Sequence, residues 1–143
     1  MRWSLSSLAD ELLHRSDINI DLKNNNDVLM VKMNDYGDLP LNIFITPKQI
    51  IIDTYICPAN IIKRQADFNL FLLRNQKILP LSSVGLSLIQ HEEYYVAFGA
   101  LSISSSLEDI ILELTTLAEN ALDLAELTEE FFKLMDKGNI WVS

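Results

Sequence analysis

Leu5, Leu8, Ala9, Leu12 and Leu13 recur at the spacing of one helical face behind a Ser-rich start, which predicts a short amphipathic helix over residues 4–15. The period then changes. Ile18, Ile20 and Leu22 alternate with Asn19, Asp21 and Lys23, the two-residue period of a half-buried strand. The polar run Asn24-Asn25-Asn26-Asp27 turns the chain into a second strand, Val28 to Met33, and Asn34 to Pro40 forms a richer turn. A third strand is expected from Leu41 to Thr46. Pro47-Lys48 leads into Gln49 to Ile56, a run heavy in β-branched residues.

Cys57-Pro58-Ala59-Asn60 ends that run and supplies a helix start, with Asn60 as the expected cap. From Ile61 to Gln76, residues Ile61, Ile62, Ala66, Phe68, Phe71, Leu72 and Leu73 predict a broad apolar helical face, stopped by Leu79-Pro80. Val84 to Gln90 and Tyr94 to Ile103 read as a hairpin joined through Gln90-His91-Glu92-Glu93. Ser105 and Glu108 have the spacing of a capping box. Behind it, apolar residues at steps of three and four predict a long helix over residues 106–136, with acids on the opposite face. At 1.5 Å per residue it measures about 45 Å, enough to cross the whole molecule.

The expectation is a single α+β domain over residues 1–143, an antiparallel sheet with helices in the order α-β-β-β-α-β-β-α. A chain of 143 residues is long enough for a core that needs no disulfide or metal.

Charge changes this picture by its distribution. The chain carries 11 Lys and Arg against 20 Asp and Glu, a net charge of -9. Residues 106–136 hold nine of the acids and one Lys, a net -8, so the acidity belongs to one helix. Such a surface disfavours phosphate backbones and anionic lipid, and no nucleic-acid partner is expected. No apolar run approaches a membrane span, and one cysteine rules out an internal disulfide; the expected location is cytoplasmic.

Candidate chemistry is sparse. His14 and His91 stand far apart, Cys57 reads as a buried thiol at a strand end, and nucleotide, nucleophile and zinc motifs are missing. No cofactor, metal or catalytic residue is therefore expected, and the chain reads as a non-enzyme. The acidic helix offers Glu119, Asp123 and Glu126 as a docking surface for a basic partner. Its apolar side is wider than one sheet face covers: Leu112, Leu122, Leu127, Phe131 and Phe132 remain as surplus, which points to self-association, most simply a homodimer. The competing expectation is a small-molecule binder or enzyme using a polar site of Tyr36, Asp38, Asn69, Arg74 and Tyr95.

The segments Asp35-Tyr-Gly-Asp-Leu-Pro40, Phe68-Asn-Leu-Phe-Leu-Leu-Arg74, Leu79-Pro-Leu-Ser-Ser-Val-Gly85, Tyr94-Tyr95, Phe98-Gly-Ala-Leu-Ser102 and Leu117-Ala-Glu-Asn-Ala121, in this order and spacing, resemble the YjfI-like family of uncharacterised bacterial proteins over roughly Leu8 to Leu127. The resemblance implies no reaction. Members of that family are often encoded near membrane-stress proteins of the phage-shock-protein A type, long coiled coils with charged faces, which implies a protein-binding or chaperone-like adaptor for such a partner. Small size, low pI and element order are also similar, at the level of fold, to the type III secretion chaperones, acidic homodimers that hold an extended client segment.

Overall fold

A computed structural model describes residues 2–25 and 27–136, the side chains of 130–136 excepted. Helix α1 (Leu5–Leu13) is followed by four strands, β1 (Ile20–Asn24), β2 (Leu29–Met33), β3 (Leu39–Ile45) and β4 (Gln49–Pro58). Helix α2 (Gln65–Asn75), the hairpin β5 (Ser83–Ile89) and β6 (Glu92–Ser102), and the long helix α3 (Leu107–Asp136) complete the order. The expected order had one strand too few before the second helix. The Gln49 run is a full strand, and it is central: the sheet runs β1-β2-β3-β4-β6-β5, every pair antiparallel.

Alternation decides which face is covered. Leu29, Val31 and Met33 of β2, Leu41 and Ile43 of β3, and Ile50 and Ile52 of β4 are buried on one side. They pack with Leu8 and Leu12 of α1, Phe68 of α2, and Ile110, Leu114, Leu117, Ala118 and Leu124 of α3 in one core. Burying each of these larger side chains contributes about 1.5–3 kcal/mol. The α1 and α3 ends are tied by Arg15, which donates to Asp17 and Glu108 at 2.6 Å each. That ion pair bridges two helices but is exposed, and it adds little to stability.

Local chemistry shifts several expected boundaries. Helix α1 opens on Ser4, whose Oγ accepts from the Ser7 amide at 3.1 Å. Asn60 does not cap α2: it lies in a short 3-10 turn, Ala59–Ile61, and α2 begins after Arg64 without a side-chain cap. Only Phe68 and Leu72 of α2 are buried; Ala66, Phe71 and Leu73 of the expected apolar face are exposed. Helix α3 is capped by Ser106, one residue later than expected, its Oγ accepting from the Asp109 amide at 3.1 Å. Glu108 is thereby released to meet Arg15. The β5–β6 connection is a two-residue turn in which Gln90 and His91 both hold positive φ, 50° and 69°. This is the mirror-image geometry whose twist suits a hairpin, without the usual Asn-Gly.

One acid of α3 points inward. Glu113 is only 4% exposed, against the backbone of β6, and makes no hydrogen bond or ion pair among the described residues. Gly99 makes the room: a Cβ there would stand 1.8 Å from Glu113 Oε1. Burial holds the Glu113 carboxyl above its ordinary pKa. Further along the same helix Asn120 donates to Pro80 O at 2.8 Å and Ser82 Oγ at 2.9 Å, fixing the segment that enters β5.

No helix among the described residues is long and apolar enough to cross a membrane. The expected closure at Gly138 and the apolar tail of Ile140, Trp141 and Val142 lie outside the described residues.

Candidate functional site

All three helices pack on one face of the sheet, and the opposite face is open among the described residues. An antiparallel sheet with one solvated face is expected to be polar there. This one is polar at its β1 side, where Lys32 meets Asp21 at 3.5 Å, and along β5, where Ser83 and Ser87 stand beside Phe98 and Tyr94. Over the central strands the open face is mainly apolar. Register sets Phe44 of β3 beside Ile51 of β4 and Ile51 beside Ala100 of β6. One row on, Asn42, Asp53 and Phe98 stand side by side, followed by Tyr55 and Val96. Tyr94 closes the patch, its ring centroid 5.9 Å from that of Tyr55.

Asp53 is the charged group within this apolar patch. It is half-buried and accepts one hydrogen bond, from Asn42 Nδ2 at 3.1 Å. Desolvation raises its pKa, and the Asn42 hydrogen bond only partly opposes this. Burial, and secondarily the charge of Asp53, raises the Tyr55 pKa as well. A carboxylate with spare acceptor capacity, ringed by Phe98, Tyr55 and Ile51, suits an apolar ligand that brings one donor or cation.

The expected polar site is not gathered in one place. Asn69 and Tyr95 meet: the Tyr95 hydroxyl donates to Asn69 Oδ1, and the ring stands edge-on to Phe68 at 5.1 Å. Burial pushes the Tyr95 phenol up to about 12, so it acts as a hydrogen-bond donor rather than as a base. Tyr36 is elsewhere, donating to Glu119 of α3 at 3.4 Å. Asp38 is exposed in a left-handed turn with Gly37, at φ 58° and 69°. That pairing explains the glycine without a ligand. Arg74 is exposed in the last turn of α2. A groove of about 210 Å³ between α2 and β5 takes in Asn69 and Tyr95, but its lining includes neither Tyr36, Asp38 nor Arg74.

Of the acidic docking residues, Glu119, Asp123 and Glu126 are all exposed on α3. The surplus leucines divide: Leu112 and Leu122 are exposed, Leu127 is half-buried. The side chains of Phe131 and Phe132 lie outside the described part. Cys57 is half-buried and its thiol is pushed up to about 11 by burial, which suits a packed thiol and not a nucleophile. No three His, Cys, Asp or Glu side chains among the described residues gather as a metal site would require.

Asp53, Asn42, Phe44 and Ile51 are the residues that sequence patterning missed. The signal was there as an irregularity: Ile50-Ile51-Ile52 breaks strict alternation, and an acid sits directly behind it.

The chain is 57% identical over 131 residues to the uncharacterized protein YjfI of Escherichia coli strain K12, covering 92% of this chain and 98% of that one. Its fold is similar to that of an uncharacterized protein from Methanothermobacter thermautotrophicus, with a TM-score of 0.63 at 11% identity over 90% of this chain and 99% of that one. It is also similar to YbjN from E. coli, described as a putative transcription regulator, with a TM-score of 0.58 at 13% identity over 88% and 89% of the two chains. The ExsC-ExsE complex matches with a TM-score of 0.48 at 11% identity over 87% of this chain and 90% of that one. Residues 2–132 match the family model described as "Uncharacterized protein conserved in bacteria (DUF2170)", and the chain belongs to that family.

Proposed function

We propose that this protein is a non-enzymatic, chaperone-like adaptor that holds a segment of a partner polypeptide on the open face of its sheet. The observation that carries this reading is the apolar patch of Phe44, Ile51, Tyr55, Tyr94 and Phe98 around the half-buried Asp53. A surface of that kind is costly to leave in water and has the composition of an interface core. The partner segment it suits presents apolar side chains together with one Lys, Arg or backbone donor placed against Asp53. Asp53 with Asn42 supplies direction, and the aromatic rings supply area.

A second reading is supported by the exposure of Glu119, Asp123 and Glu126 along α3, flanked by Leu112 and Leu122. A charged coiled coil of the phage-shock-protein A type, the partner implied by the family resemblance, would lie against that helix and not on the sheet.

Both readings meet in one experiment. A photo-crosslinking amino acid is placed in turn at Phe98, at Asp123 and at the exposed Lys77, and adducts formed in the native cell are identified by mass spectrometry. The sheet-face reading expects an adduct to one partner from Phe98, abolished by Asp53→Lys, and none from Lys77. The same partner captured from Asp123 and not from Phe98 moves the interaction to α3. Equal adducts at all three positions, or none at Phe98 and Asp123, overturn the adaptor reading.

A further inference from the structure

The sheet ends in two strands of opposite character. Edge strand β1 carries Asp21 and Lys23, and charges on an edge discourage pairing with another chain. The other edge, β5, reads Ser-Val-Gly-Leu-Ser-Leu-Ile: no charge, no proline, and an unbroken register with β6.

Part of this edge is already used. Gln76 donates from Nε2 to Val84 O at 2.6 Å and accepts at Oε1 from the Val84 amide at 2.9 Å, so its side-chain amide pairs with β5 as a neighbouring strand would. The Val84 backbone therefore faces away from β6, and strict alternation turns the backbone of Leu86 and Leu88 the same way. Those two residues offer four outward hydrogen-bonding groups. Their side chains are 44% and 68% exposed, and Leu73 of α2, 69% exposed, lines the groove beside Leu86.

We infer that β5 pairs antiparallel with the β5 of a second copy of this chain, about a two-fold axis through Ser87. Three observations select that occupant and register. A strand repeated about Ser87 sets Leu86 opposite Leu88 of the partner and Leu88 opposite Leu86, which uses all four outward groups. An axis at Leu86 would bring the partner's Leu88 against Val84, whose groups Gln76 already occupies. A longer extended segment from another protein meets the same stop, whereas in the two-fold arrangement the partner strand ends in its own Gln90-His91 turn at that point. Charge agrees: two chains of net charge -9 repel over most of their surface, and Ser83–Ile89 is an uncharged strip where they can approach.

A two-fold axis perpendicular to the sheet keeps both sets of helices on one side. The pairing joins two six-stranded sheets into one, with the two open faces continuous on the other side and Leu73 of each copy beside the seam. The homodimer expected from α3 is thus assigned to β5 instead.

The test uses the full chain. Sedimentation velocity at tens of micromolar is expected to give twice the 16.3 kDa chain mass, and Leu86→Lys with Leu88→Lys to return it to 16.3 kDa with an unchanged circular dichroism spectrum. Independently, Ser87→Cys in a Cys57→Ala background is expected to form an intermolecular disulfide on mild oxidation, because opposed residues of a non-hydrogen-bonded pair lie about 4.5 Å apart at Cα. Ser83→Cys in the same background is expected to form none. A wild-type monomer, a dimer that survives both lysines, or equal cross-linking at residues 83 and 87 overturns the proposal. Loss of a foreign partner with no change in mass would give the edge to another polypeptide, and that result also overturns it.

Discussion

The two faces of the sheet use similar residue types for different ends. Ile52 and Ile51 are consecutive on β4, yet Ile52 is fully buried under the helices while Ile51 lies half-buried on the open face beside Phe44. The covered face is mainly aliphatic, with Tyr95 set edge-on to Phe68 as an aromatic contact, and is interlocked with three helices. The open face is aromatic around one carboxyl group. Aliphatic side chains pack most completely when every side is covered, whereas aromatic rings retain useful contact area when one side stays free. The comparison separates residues that hold the fold from residues available to a partner.

The largest expected effect lies in the pair itself. Ile52→Ala is expected to cost about 2–5 kcal/mol, from lost burial and the cavity left behind. Ile51→Ala is expected to cost no more than about 1 kcal/mol. Urea denaturation of both variants checks this, and equal losses would mean that the open face is itself part of the core.

Next comes the close approach of α3 to the sheet. Gly99→Ala places a methyl group against the Glu113 carboxyl and 3.2 Å from the carbonyl oxygen of Leu81, a backbone atom that cannot swing aside. The expected loss is about 1–3 kcal/mol in thermal or urea unfolding. A neutral result would show that α3 can slide over β6.

The smallest effect concerns pH and touches both faces, because Glu113 lies on the covered side and Asp53 on the open one. Burial raises both carboxyl groups above their ordinary values of 4.5 and 3.8. The fold therefore favours the protonated forms. The stability this contributes is present below the ordinary values and is lost as pH rises through the raised ones. Urea midpoints should accordingly fall as pH rises from below the ordinary carboxylate values through the raised ones, and Glu113→Gln should remove its share of that fall. A Gln variant with an unaltered pH profile would mean that Glu113 is solvated in the folded protein.

Much of this was legible in the chain itself. Three helices, the paired strands, the single α+β domain and the concentration of acid on α3 all follow from periodicity and charge, because those signals are local. The fourth strand before α2 was present as the Gln49 run, but its central place depends on pairing with β6, a contact between distant parts of the chain. The polar site of Tyr36, Asp38, Asn69, Arg74 and Tyr95 was assembled from motif membership, and the fold sends its members to different elements. The open-face patch is not legible in the chain for the opposite reason: Phe44, Ile51, Asp53 and Phe98 come from three strands and share no motif. Glu113 and Gln76 show a further limit. A helix pattern assigns an acid to solvent and a Gln to the surface, and only the backbone of β6 and β5 explains why each is turned inward.

The position of β4 bears on how the chain assembles. Strands β1 to β4 form a meander of neighbours, and β5 with β6 form a hairpin, so each block can take shape from contacts close in sequence. Within the sheet the β4–β6 ladder joins them, and it forms only after the chain has closed a loop through α2 and β5. Such non-local closure is the slow kind of step in folding. Until it is complete, the flank of β4 that β6 will occupy is a bare strand edge in the middle of the future sheet, and during that interval the nascent protein is most open to pairing with the wrong chain.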